Sequence, residues 1–172
     1  MPETVEALVR SAAIGIGATA LMDLWGIART RLLRMPATDY ALVGRWVAYL
    51  PRGRLRHDPI AASPRVRGER AIGWTVHYLT GIAFASVLLA VWGLDWARSP
   101  TLAPALIVGI GSVAAPFLVM QPGMGAGLAA RRMPRPGHVR LHSLITHAVF
   151  GCGLYLAAVA TNLPGCLQMR MA

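Results

Sequence analysis

Apolar residues gather into four long runs, separated by stretches rich in arginine, glycine and proline. The runs cover about 7–29, 72–94, 101–121 and 141–163. Each can cross about 30 Å of hydrocarbon at about 1.5 Å per residue. They are too long and too continuously apolar for barrel strands, and helices satisfy their own backbone groups in lipid. The pattern predicts an all-α integral membrane four-helix bundle, one transmembrane domain over 1–172. The N-terminal stretch, "MPETVEALVR", carries two glutamates and no basic cluster. It therefore predicts a retained helix and not a cleaved leader.

The loop at 30–71 has a pattern of its own. In "DYALVGRWVAYLPRG", Tyr40, Val43, Trp46, Val47 and Leu50 share one face, with Arg45 off it. The segment is too short to span. It predicts an amphipathic helix on the cytoplasmic face, stopped by Pro51. The alternative is a segment packed beneath the bundle. The remainder, "RGRLRHDPIAASPRVRGER", is basic and punctuated by proline, which suits contact with anionic lipid. His57 within it is expected to be solvated.

Composition agrees with the runs. Hydrophobic residues make up 55% and charged residues 14%, and the mean hydropathy is +0.51. A soluble domain of this length needs more charged surface. The net charge is +10, and all 17 basic residues are arginine. Such a balance can mark a nucleic-acid binder. Here fourteen arginines fall in the two long loops and their flanks, leaving Arg10, Arg98 and Arg170 on the other side. The positive-inside bias then places both loops in the cytoplasm and both termini outside. The partner it implies is the bilayer, with no nucleic acid. Cys152 and Cys166 form neither a CxxC motif nor a disulfide framework.

A repeat runs through the chain. "GIG" occurs at 15–17 and 109–111, "MD" at 22–23 and "MQ" at 120–121, and "RMP" at 34–36 and 132–134. His77 to Gly81 then matches His147 to Gly151. The spacing differs by four residues ahead of the Met-Asp/Gln step. Short matches recur by chance, but four in one order point to two parallel helical-hairpin repeats.

The repeat pairs Asp23 with Gln121 and His77 with His147. Asp23 lies six residues before Arg29; His77 and His147 lie seven after Arg70 and Arg140. That places all three roughly 9–11 Å inside one boundary. A carboxylate inside hydrocarbon costs about 2.5–3.5 kcal/mol and needs a partner. Three readings stand. Asp23, His77, Gln121 and His147 handle protons, ions or a small solute; or His77 and His147 ligate haem or a metal ion; or the group only joins helices. His138 and His142, four apart, share a face near the boundary.

Pro116 and Pro122 are expected to break the third span near Gln121 and free carbonyls. The "GIG" and "GCG" glycines let helix backbones approach closely. No nucleophile–base set is visible, so nothing specifies a reaction or requires a cofactor.

"GRWVAYLPRGRLRHDPI", "RGERAIGWTVHYLTGIAFA", "WGLDWARSPTLAPALIVG", "APFLVMQPGMGAG" and "LHSLITHAVFGCGLYL" together resemble an uncharacterised bacterial family of small multi-pass membrane proteins, a domain of unknown function. The resemblance spans roughly 10–160. It implies location in the bacterial inner (plasma) membrane and supplies no site residues. Four helices make a narrow protomer, so a homo-oligomer or a membrane-protein partner is a further expectation.

Overall fold

The computed structural model describes residues 2–36 and 38–170, with side chains as far as Leu163, so the Cys166 side chain lies outside the described residues. The described residues form six α-helices: α1 (Glu3–Leu33), α2 (Tyr40–Tyr49), α3 (Glu69–Arg98), α4 (Leu102–Gly111), α5 (Gln121–Met124) and α6 (Pro136–Arg170). No strand occurs among the described residues. Four helical stretches are long and apolar enough to cross a membrane: Glu3–Leu33, Glu69–Arg98, Leu102–Met124 and Pro136–Leu163. They cover the four apolar runs, Thr101 alone excepted, and extend beyond most of their ends. In α1, Glu3 and Glu6 in the first turn and Arg31 in the last complement the helix dipole, which lets the helix outrun its apolar stretch.

The third stretch is broken, and the reason is local. Pro116 has no N–H, and its ring clashes with the carbonyl four residues back, that of Ser112. The α-helix accordingly stops at Gly111, and the Ala115 N–H donates to Ser112 O at 3.1 Å. A π-helical turn then covers Ala115–Met120, closed by the Gln121 N–H on Pro116 O. The break therefore begins after Gly111, more than two turns ahead of Gln121. Pro122 sits in the first turn of α5, where a missing N–H costs little. Gly125, at φ 96°, ends that helix. In α3 the helical path is interrupted at Gly93 (φ 77°, ψ 172°), one residue before the apolar run ends.

The residues fall into two compact units. The first comprises the chain up to Trp25, Tyr78–Gly111 and the chain from His147 on. Its core joins four helices: Ile14 and Ala18 from α1, Ala85, Leu88 and Leu89 from α3, Ala105 and Val108 from α4, and Phe150, Leu154 and Ala158 from α6. Outside the core, Ile16, Val87, Val91, Ile107 and Leu156 are exposed, an apolar exterior that suits lipid. Helices in lipid gain little from burying apolar area, so they associate through small residues at close approach. A Cβ on Gly15 would lie 2.5 Å from Ile82 Cα in α3. A Cβ on Gly109 would meet Gly151 Cα and lie 2.5 Å from its nitrogen, in α6. Gly153 packs against Ala18 in the same way. By contrast a Cβ on Gly26 meets nothing within 4 Å. Gly26→Ala is therefore expected to stabilise α1 by about 0.5–1 kcal/mol, read as a later midpoint in SDS unfolding from mixed micelles.

The second unit comprises Gly26–His77 and Ser112–Thr146. Here α2 forms where the pattern places it, with the Asp39 carboxylate accepting the Ala41 N–H at its start. Yet none of its residues is exposed, and Val43, Gly44, Arg45 and Tyr49 are buried. Gly44 and Gly73 bring α2 backbone to backbone with the start of α3, each where a Cβ would strike a carbonyl oxygen of the other helix. The helix is thus packed on several sides rather than laid on a surface by one apolar face.

Candidate functional site

Within the first unit, Asp23 projects from α1 and Tyr78 from α3. The Tyr78 hydroxyl donates to Asp23 Oδ2 at 3.0 Å, and both side chains are half-buried. The carboxylate thus has a neutral donor from a second apolar helix. Sequence reasoning sought its partner among the histidines and passed over Tyr78. The available signal was the hydroxyl beside His77 in "HYLTG". His147, half-buried on α6, belongs to this unit as well.

The same unit holds a polar network that the sequence did not announce. The Arg10 guanidinium donates to Glu6 Oε1 at 2.9 Å, to Asn162 Oδ1 at 2.9 Å and to the Ala97 carbonyl at 3.3 Å. Arg98 donates to Glu6 Oε2 at 2.9 Å, and the Asn162 amide donates to the carbonyls of Ala97 and Arg98. These bonds tie α1 and α6 to the last carbonyls of α3, which no further helical turn can satisfy. The only sequence signal was Glu6 and Arg10 one turn apart.

Within the second unit, His77 stands against Tyr40. His77 Nε2 and the Tyr40 hydroxyl are 3.0 Å apart in a hydrogen bond, and the two ring centres are 4.4 Å apart. Trp74 packs on the other aromatic neighbour, 4.4 Å from the Tyr40 ring. Haem ligation through His77 Nε2 would have to displace that hydroxyl. Gln121 belongs to this unit; its Oε1 is buried and has no hydrogen-bond partner. Asp23 and His147 thus lie in one unit and His77 and Gln121 in the other. The rings of His138 and His142 stand 6.4 Å apart on one face of α6.

The second unit also contains a buried ion pair. Arg45, expected off the apolar face, is 5% exposed. Its Nε and Nη2 donate to both Glu69 oxygens at 2.8 and 2.9 Å, and its Nη1 reaches the carbonyls of Ala61 and Ser63. Hydrogen bonding to Glu69 holds the guanidinium above its ordinary pKa, against the opposing effect of burial. The Val66 N–H also donates to Glu69, at 3.0 Å. A loop arginine and a distant glutamate carry no sequence signature of pairing, which is why the clamp was missed. His57 is not solvated. It is 7% exposed, its Nδ1 lies 2.8 Å from Ser63 Oγ, and its backbone N–H donates to Gly123 O at 2.9 Å. The loop is folded back on the "QPGMGAG" segment, which removes His57 from water.

Among the described residues no group of three or more His, Cys, Asp or Glu is placed to hold a metal ion. These features define a class: an all-helical protein with four helices long and apolar enough to cross a membrane, carrying ionisable side chains on them. Within it, the chain belongs to DUF2938, a family of proteins of unknown function whose model matches residues 12–161. No curated protein and no solved structure matches it.

Proposed function

We propose that this is a multi-pass inner-membrane protein in which Asp23, held by Tyr78, takes up a proton or small cation within the apolar helices. The observation that carries the reading is the 3.0 Å hydrogen bond from Tyr78 to a carboxylate borne on a bilayer-length helix. A charge so placed is retained where it acts. A phenol holds the carboxylate in one orientation and brings no charge of its own. His77 and His147 add imidazoles on their own helices, and Gln121 adds a neutral acceptor. The arginine distribution supports cytoplasmic loops with both termini outside. The close approaches at Gly15 and Gly109 support descent of the two hairpins from one duplicated unit.

Asp23→Asn tests the reading, because asparagine keeps an oxygen for Tyr78 and removes the titratable group. In proteoliposomes with a lumenal pH dye, proton or cation flux is expected to fall at least about tenfold, in line with the loss of one proton-transfer group. The unfolding midpoint should barely move. Unchanged flux in the folded variant sinks the proposal. A purely structural role, favoured by the same hydrogen bond, predicts instead that Tyr78→Phe costs about 1 kcal/mol of stability and leaves flux alone.

A further inference from the structure

Charge is divided unequally between the two units. The second holds fourteen arginines against Asp39, Asp58 and Glu69, a net +11; the first holds Arg10, Arg98 and Arg170 against four carboxylates, a net −1. Of the three carboxylates in the second unit, Glu69 is bound to Arg45, Asp58 to Arg132, and Asp39 caps α2. Most of the exposed guanidiniums are therefore uncompensated within the unit. At one place they are also held in position.

That place is "YLPRGR", Tyr49 to Arg54. Leu50 and Pro51 open a single 3₁₀ turn, and Gly53 ends it at φ 72°, a left-handed conformation that favours glycine. The turn sends both flanking arginines back over one ring. The guanidinium carbons of Arg52 and Arg54 lie 5.4 and 5.2 Å from the centre of Tyr49. The ring is fixed, since Tyr49 is buried, its hydroxyl donates to Pro64 O at 3.1 Å and His57 packs against it. Two like charges gathered against one ring, with no carboxylate paired to them among the described residues, favour an anion beside them. Next to them Leu55 is 62% exposed, with Arg56 exposed beyond it. The Trp46 indole N–H holds the Leu55 carbonyl at 3.1 Å, which fixes the base of that projection.

We propose that Arg52 and Arg54, stacked on Tyr49, form a site for the phosphodiester of an anionic phospholipid headgroup, with Leu55 against the upper acyl region. The shared chemistry is a phosphate oxyanion. The exposed leucine between arginines, in a chain with four bilayer-length helices, selects the lipid over a free phosphate or a nucleic acid.

The test uses the full chain in detergent micelles, with retained phosphatidylglycerol and phosphatidylcholine counted by native mass spectrometry. The wild-type chain should keep phosphatidylglycerol preferentially. In Arg52→Gln/Arg54→Gln that preference should fall about fivefold for each guanidinium removed. Arg65→Gln/Arg67→Gln removes equal exposed charge that is not stacked on Tyr49 and should change it less than twofold. Both pairs are exposed, so the fold should survive, and a monodisperse elution peak checks this. Equal losses in the two double variants would mean diffuse charge alone and overturn the site. So would displacement of the lipid by inorganic phosphate at the same concentration, or a wild-type chain without lipid preference. Polyuridylate competing as well as phosphatidylglycerol would overturn it in favour of nucleic acid.

Discussion

Glu69→Ala is expected to destabilise the protein by about 3–5 kcal/mol, measured by SDS unfolding in mixed micelles, because it strands a buried guanidinium. Arg45 has a side chain 6% exposed, and Glu69 one that is 14% exposed. The carboxylate receives three hydrogen bonds, two from Arg45 and one from Val66. Its loss leaves Arg45 facing only the carbonyls of Ala61 and Ser63, which carry no full charge. The cost should reach several elements at once, because Arg45 ties α2 to the start of α3 and to the loop between them. A double replacement, Arg45→Met with Glu69→Leu, removes both charges. It should cost far less than either single change, since replacing a buried pair by apolar residues is often neutral. A double variant as unstable as Glu69→Ala would show that packing at the α2–α3 crossing, and not the uncompensated charge, sets the loss.

Gly15→Ala and Gly109→Ala should each cost about 1–3 kcal/mol, and by similar amounts. In both, the added methyl meets backbone of the facing helix, Ile82 in α3 or Gly151 in α6. Backbone cannot rotate away as a flexible side chain can, so the helices must separate, and packing is the main force between them in lipid. The two glycines occupy the same place in the "GIG" motif, and their partners the same region after the histidine. Like effects would support a common origin of the hairpins. A neutral Gly109→Ala beside a costly Gly15→Ala would argue against equivalent crossings.

The four long helices were legible because length and continuous hydropathy decide whether a segment can lie in lipid. The short helix α2 was legible from its pattern, Asp39 and Pro51, but its packing was not. Arg45 reads as a solvated charge on a helical wheel, and only the folded loop brings Glu69 to it. His57 failed for the same reason: a basic, proline-rich stretch looks open until its backbone is seen bonding Gly123. The break in the third helix was visible in Pro116, but its place depends on the carbonyl four residues back. At the candidate site the sequence singled out Asp23 and His77 as ionisable groups in apolar context. It did not indicate that each would meet a tyrosine hydroxyl, because a lone tyrosine in a span has many ordinary uses.

The Arg10 network bears on how the chain is made. Domains and helices emerge in order during synthesis, and α1 comes first with a guanidinium near its beginning. Glu6, one turn away, is present from the start and bonds Arg10 within the same helix. Arg98 and the Ala97 carbonyl arrive only with the end of α3, and Asn162 only with α6. The early glutamate thus chaperones the arginine until its lasting partners exist. The seam closes only once α6 is made, so a ribosome stalled before Asn162 would leave a nascent chain whose α1 and α3 lack their last stitch.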